Sequence, residues 1–321
     1  MPLIVELIVT AYVRENVFTQ RVNIINRQKQ PVVLHSFYSS YLPMRAKNYY
    51  LNSFHGAWAH EMFMEESLLS HGVKSIENRM GIRTTHTENP SFVLALDMPL
   101  NEHTGDAIGG ALAWSGNYKM NFQVDEFDIL SITAGINPYA SSYTLEEGEI
   151  FHTPEMIYTY STDGAGGVSR NLHDWARYYQ VYDAATIRPT LLNSWEGAYF
   201  NFEEKTITDM IDDAAGMGLE MFVLDDGWFG NKYPRSGTGQ GLGDWQETRN
   251  KLPRGISHLA DYAVNKGLRF GIWIEPEMVN PKSELAEQHP DWIVQVKGRP
   301  VPATRNQWLL DLTNPEVQDF V

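Results

Sequence analysis

Met221-Phe222-Val223-Leu224-Asp225-Asp226-Gly227-Trp228-Phe229-Gly230 decides the fold of the second half of this chain. Four apolar residues without alternation fit a strand buried on both faces, and such strands belong to parallel sheets packed between helices. Two acids and a glycine end the run. Before it, Glu203 to Met217 carries Ile207, Met210, Ile211 and Ala214 on one helical face, and Thr190 to Trp195 reads as a strand. After it, Ser257 to Lys266 is a predicted helix stopped by Gly267, and Phe270 to Ile274 is the next strand, ending in Glu275-Pro276-Glu277. Strand and helix alternate, which is the grammar of an α/β fold. Acids and tryptophans gather at the strand ends: Trp195 and Glu196, then Asp225 and Asp226, then Trp273 and Glu275. In a (β/α)8 barrel, active sites are built at that edge. About three βα units are predicted, then a strand from Trp308 to Leu312 and a helix opening at Asn314-Pro315-Glu316. Asn314 suits an N-cap and Pro315 the first helical position.

Residues 1–160 follow another grammar. Val22 to Ile25, Val32 to Phe37, Ser91 to Leu96 and Ala111 to Trp114 are short apolar stretches between turn signals. Tyr118 to Val124 alternates, with Met120, Phe122 and Val124 on one face. The odd positions from Leu3 to Val13 are all apolar, which predicts a half-buried strand from the first residues. Many short strands without helices indicate a sandwich or barrel. Ser161 to Gly167 is small and glycine-rich and reads as flexible, followed by a helix from Asn171 to Tyr182 with Leu172, Trp175, Ala176 and Tyr179 on one face. The predicted organisation is a β-sandwich over 1–160, a linker with a helix over 161–186, and barrel units over 187–321.

The chain has 321 residues, 25 Lys+Arg against 40 Asp+Glu, and no cysteine. A net charge of −15 argues against nucleic acid or an anionic membrane as a partner. Without cysteine there is no disulfide, thiolate zinc site, iron–sulfur cluster or thiol nucleophile. No basic leader with a cleavage-like site and no apolar run of membrane-spanning length is visible, so the expected location is cytoplasmic. Gly237 to Gly243 is not a phosphate loop, because no strand feeds it and no Gly-Lys-Ser/Thr follows. His55, His60 and Glu61 lack the spacing of a zinc motif. No metal or cofactor is expected.

Adjacent carboxylates Asp225 and Asp226 can accept hydrogen bonds from neighbouring hydroxyls of one sugar ring. A cap or turn role is the ordinary alternative for an Asp after a strand. Trp195 and Trp273, at strand ends, could stack on a pyranose, whereas Trp292 in His289-Pro290-Asp291-Trp292 reads as core. Arg305 could offer a fixed fork of donors to hydroxyls, although taken alone it reads as a surface ion pair. Residue chemistry by itself would pair Asp226 with Glu275 as the two reacting carboxyls of a glycosidase.

Six ordered motifs carry a resemblance that overrules that pairing. They are Asn193-Ser194-Trp195-Glu196, Leu224-Asp225-Asp226-Gly227-Trp228-Phe229-Gly230, Leu242-Gly243-Asp244-Trp245, Lys251-Leu252-Pro253-Arg254-Gly255, Phe270-Gly271-Ile272-Trp273-Ile274-Glu275-Pro276-Glu277-Met278 and His289-Pro290-Asp291-Trp292. Together with Ile76-Glu77-Asn78-Arg79 and Arg83-Thr84-Thr85-His86, the chain resembles bacterial α-galactosidases of glycoside hydrolase family 36. The resemblance implies a β-sandwich followed by a (β/α)8 TIM barrel, and retaining hydrolysis of terminal α-galactose from melibiose and raffinose-type oligosaccharides. Asp225 and Asp226 would bind galactose hydroxyls, and Trp195, Trp273 and Arg305 would complete that side of the subsite. The family's nucleophile, in a Lys-x-Asp motif, and its acid/base would lie beyond Val321. The resemblance thus implies a fragment incomplete at both ends, with no catalytic carboxylate and no activity of its own. It also implies homotetramers for the full-length protein. The alternatives are a carbohydrate-binding or interaction remnant, or, among enzymes, α-N-acetylgalactosaminidase or galactosyl-transfer activity.

Overall fold

Tyr118, Met120, Phe122 and Val124 alternate along one strand, and all four side chains are buried. The computed structural model describes residues 3–80 and 87–321; the Arg83-Thr84-Thr85-His86 motif lies outside the described residues. It divides into two compact units, residues 1–186 and 187–321.

The first unit runs β1 (Leu3–Tyr12), β2 (Val17–Asn26), β3 (Val32–Leu34), β4 (Ser40–Arg45), β5 (Tyr49–Ala57), β6 (His60–Leu68) and β7 (Gly72–Glu77). It continues with β8 (Glu88–Leu96), β9 (Ala107–Leu112), β10 (Tyr118–Val124), β11 (Ile129–Ile136), β12 (Tyr143–Leu145), β13 (Ile150–His152), β14 (Met156–Ser161) and helix α1 (Gly164–Tyr179). One sheet has the order β1-β2-β14-β9-β8-β5-β6, with β13 also on β2; a second has the order β4-β11-β10-β7. Every strand pair in the two sheets is antiparallel. Leu51, Phe92, Leu94, Met156 and Tyr158 from the first sheet meet Met120, Phe122, Leu130 and Ile132 from the second in one core. Phe92 and Phe122 touch edge to face across it, 4.8 Å between centroids. This is the sandwich expected from the alternating pattern.

Three local expectations are corrected. The odd face of β1 is not buried: Val5, Leu7 and Val9 are exposed. It shares its side of the sheet with core-facing Phe18, paired to Ala11, but β1 is the edge strand and gives no residue to the core that the two sheets share. The glycine-rich stretch is not a linker; Gly164 opens α1, which starts seven residues before the expected Asn171. Its glycines permit close approach: a Cβ on Gly167 would lie 1.9 Å from Ser161 Oγ. The helix packs Leu172, Trp175 and Ala176 against Val17 and Ile157 and belongs to the sandwich unit. The strand expected over Val32 to Phe37 ends at Leu34, and Ala111 to Trp114 is the end of β9 and its turn.

In the second unit, β15 (Leu191–Asn193), β16 (Met221–Leu224) and β17 (Arg269–Ile272) form a parallel sheet in that order. Short helix α2 (Trp195–Ala198) follows β15, α3 (Glu204–Gly216) leads into β16, and α4 (Gly255–Asn265) leads into β17. Helix α3 buries Ile207, Ile211 and Ala214, and α4 buries Leu259 and Ala263, against Phe222 and Leu224 of the central strand. These are the first three strands of a (β/α)8 arrangement. Beyond them come β18 (Met278–Val279), α5 (Glu284–Gln288), a 3-10 turn at Pro290–Trp292, β19 (Trp308–Leu309) and α6 (Pro315–Phe320). The expected barrel strand Trp308 to Leu312 is a correction: only Trp308 and Leu309 form a strand, antiparallel to β18. Asn314 caps α6 as expected, its Oδ1 accepting the Glu316 N–H at 3.0 Å. Trp292 is buried with Val279, Leu310 and Val317. No helix among the described residues is long and apolar enough to cross a membrane.

Candidate functional site

The tips of β15, β16 and β17 converge on Asp225 and Asp226. β16 is apolar throughout and ends at Leu224, so the two acids fall at its exit, where Gly227 (φ 109°) turns the chain. That conformation favours glycine, because a Cβ is strained at positive φ. Both carboxylates are largely buried, 9% and 4% exposed.

Each is held by a different device. Asn193, at the end of β15, accepts the Trp195 N–H (2.7 Å) and donates its Nδ2 to Asp225 Oδ2 (2.7 Å). Asp225 Oδ1 accepts the N–H of Asp226 at 2.7 Å, and the Asp225 N–H donates to Ser194 Oγ at 3.0 Å. Asp226 faces Arg235, whose Nε donates to Oδ1 (2.9 Å) and whose Nη2 donates to Oδ2 (2.8 Å). Arg235 is completely buried. Its Nη1 donates to Asn280 Oδ1 (2.8 Å) and the Gln240 carbonyl (3.2 Å), and the rings of Phe200 and Phe229 flank the guanidinium. Asn280 also donates to the carbonyls of Thr238 and Asn306. Lys251 donates to the carbonyls of Phe200, Gly227 and Arg235 at 2.8–3.0 Å. Burial pulls its ammonium below the ordinary lysine range, against the opposing charge of Asp226.

Trp195 is the first residue of α2, two residues past the end of β15 at Asn193 and not on the strand where it was expected. Its ring meets Tyr199 and Phe200 edge-on. Trp273 follows β17; its carbonyl accepts Trp228 Nε1–H (3.0 Å), and its ring lies 6.5 Å from Phe229 at 14°. Both tryptophans are half-buried. Arg305 stands at φ 55° and reaches Glu275 Oε2 at 4.0 Å, with more than half of its side chain exposed. Burial raises the Glu275 carboxyl, while Arg305 and Arg235 pull it down and Asp226 pushes it up. Glu275 is therefore electrostatically coupled to the Asp226–Arg235 pair. The five residues singled out in the sequence thus belong to one neighbourhood of the unit.

Sequence reasoning missed Arg235, Lys251 and Asn280. Arg235 sits just before the glycine-rich Gly237 to Gly243, where nothing local marks its partner nine residues upstream. Asn193 stood inside a quoted motif, but nothing in the motif marked its bond across two strands.

Ionised carboxylates only accept hydrogen bonds, and each keeps lone pairs not used by Asn193 or Arg235. Two such acceptors side by side, flanked by half-buried indoles, suit a neutral polyol. An antiparallel sandwich followed by parallel βα units with this acidic, tryptophan-lined strand edge defines the class of (β/α)-barrel carbohydrate-active proteins. The Melibiase family model matches residues 150–321, and that of the glycosyl hydrolase family 36 N-terminal domain matches residues 1–146. The chain belongs to glycoside hydrolase family 36, the melibiase family. It is 37% identical to alpha-galactosidase AgaA of Geobacillus stearothermophilus over 314 residues, 97% of this chain and 42% of that protein. It is 36% identical to alpha-galactosidase Mel36A of Lactobacillus acidophilus over 318 residues, 98% of this chain and 43% of that protein. A crystal structure of a Geobacillus AgaA variant in complex with raffinose superposes with a TM-score of 0.94 at 37% identity, covering 99% of this chain and 44% of that one. The chain thus spans less than half the length of the relatives it matches.

Proposed function

We propose that the second unit forms the galactose-holding part of a retaining α-galactosidase site. The observation that carries this reading is the fixed, neighbouring pair Asp225 and Asp226 at the exit of β16. Their remaining lone pairs accept adjacent hydroxyls of a terminal α-galactosyl residue, with Trp195 and Trp273 as apolar walls. Arg305, kept near the site by Glu275, donates to a further hydroxyl. The substrate class is the α-galactosyl oligosaccharides, melibiose and raffinose among them. The raffinose complex of the Geobacillus relative supports this choice.

In this reading Asp225 and Asp226 hold the sugar and neither is a reacting carboxyl of double displacement. The polypeptide as given therefore binds galactose without hydrolysing it. Calorimetric titration with galactose tests the first claim, and release of nitrophenol from an aryl α-galactoside tests the second. The expected result is binding that Asp225→Asn and Asp226→Asn abolish, with no turnover above a heat-denatured control. Absence of galactose binding by the folded wild type would overturn the site assignment. Turnover would overturn the division of labour.

A further inference from the structure

The sandwich unit carries a second surface with saccharide chemistry, remote in sequence from the Asp225–Asp226 motif. Because Tyr118, Met120, Phe122 and Val124 of β10 point into the core, Asn121 and Gln123 stand on the outer face of the four-stranded sheet. The register places Tyr41, Thr133, Asn121 and Ser75 in one row across the four strands, and Ser131 beside Gln123 in the next. Strands lie about 4.8 Å apart and alternate residues on one strand about 6.8 Å apart, so the polar groups form a regular grid. All of these but Ser75, together with Tyr38 and the exposed apolar Val73, line an open concavity of about 550 Å³. That is within the range of small-molecule sites, about 300–1,000 Å³.

The grid is ordered by its own bonds. Asn121 Nδ2 donates to Thr133 Oγ1 (3.2 Å), and Asn121 Oδ1 accepts from Ser75 Oγ (2.8 Å). The Tyr41 and Ser131 hydroxyls are 3.3 Å apart. Asn121 retains a second amide hydrogen and an acceptor lone pair, and the hydroxyls retain lone pairs. Asp125 closes one end, its Oδ1 accepting the N–H groups of Phe127 and Ile129, both at 2.9 Å. Among the described residues, no Lys or Arg lines the concavity.

Those features select the occupant. The lining itself offers an acidic ligand no cation, in a chain of net charge −15. An apolar partner would strip water from amides and hydroxyls without replacing their bonds, a costly exchange. A neutral polyhydroxylated ring satisfies the amides and hydroxyls through its own hydroxyls, and its C–H face packs on exposed Tyr41 and Tyr38, whose rings are apolar with a polar tip. We propose that this face is a second, non-catalytic binding platform for a neutral oligosaccharide.

The test is calorimetric titration of the whole chain with a neutral mannotetraose that carries no galactose, compared among wild type, Tyr41→Ala/Gln123→Ala and Tyr41→Phe. Near-UV circular dichroism confirms that each variant keeps its fold. The expected result is a Kd raised about tenfold or more by the Tyr41→Ala/Gln123→Ala pair, whereas Tyr41→Phe keeps most of the binding. Binding that the Tyr41→Ala/Gln123→Ala pair leaves intact and that free galactose competes away would overturn the platform and leave the strand-edge site standing. Binding insensitive to every variant, or absent in wild type up to about 10 mM ligand, would also overturn it.

Discussion

Replacing Arg235 with Met should unfold the second unit at markedly lower urea. The guanidinium is completely buried and gives two well-aligned bonds to Asp226, itself 4% exposed. Methionine has a similar apolar length and no donor, so the carboxylate would remain buried without its partner. Removing one member of a buried ion pair costs about 3–5 kcal/mol. Two features favour the lower end. Lys251 stays close enough for its charge and that of Asp226 to attract. Asn280 Oδ1 keeps the Leu242 N–H (3.0 Å) when Arg235 Nη1 is gone. For a unit of this size an m-value of about 2 kcal/mol per molar urea converts about 3 kcal/mol into a midpoint shift of about 1.5 M.

The assay is equilibrium unfolding followed by tryptophan fluorescence. Trp195, Trp228, Trp245, Trp273, Trp292 and Trp308, six of the nine tryptophans, report on this unit. A double-mutant cycle with Asp226→Asn separates electrostatics from packing. If the cost arises from an orphaned charge, the second substitution on the Arg235→Met background removes it, and the double variant is more stable than the sum of the single losses by about 1–2 kcal/mol. A midpoint shift below about 0.5 M, or strict additivity, would refute the reasoning.

Lys251→Met leaves the carbonyls of Phe200, Gly227 and Arg235 without their donor and should cost about 2 kcal/mol in the same urea experiment. Glu275 sets a pH dependence. Burial holds its carboxyl above the ordinary 4.5, so as pH rises the folded state keeps the proton after the unfolded chain has lost it. The stability it contributes is fully present below pH 4.5 and is lost as pH climbs through the raised folded value. Urea midpoints measured across that window should fall with pH in wild type and fall less in Glu275→Gln; equal slopes would count against it. In the sandwich, Gly167→Ala drives a Cβ onto Ser161, whose Oγ accepts the Asp163 N–H. The expected loss is about 2 kcal/mol, a melting point lower by about 4–8 °C. Gly216→Ala, at the end of α3 where a Cβ meets nothing within 4 Å, should be neutral or slightly stabilising and serves as the control.

What the sequence disclosed follows the range of each physical signal. Met221 to Leu224 was legible as a buried strand because continuous apolarity is a local property, and Asp225 and Asp226 were legible because acids at such an exit violate it. Periodicity says which residues share a face, not whether anything covers that face. Tyr118 to Val124 and Leu3 to Val13 carry the same alternation, yet the former faces a second sheet and the latter runs along an edge. Glycine has a similar ambiguity. Gly164, Gly166 and Gly167 read as flexibility when taken alone, but here the missing side chains bring a helix against a strand end and a loop. The Trp308–Leu309 strand shows a third limit, since the direction of its partner is decided by chain that has already passed. Arg235 shows the deepest one. Its charge, in a loop without periodicity, resembles any surface arginine until folding brings Asp226, Gln240 and Asn280 around it. The sequence thus displayed the groups proposed to meet a sugar, because they end strands. The groups that hold them in place depend on contacts between segments and become visible only in the folded chain.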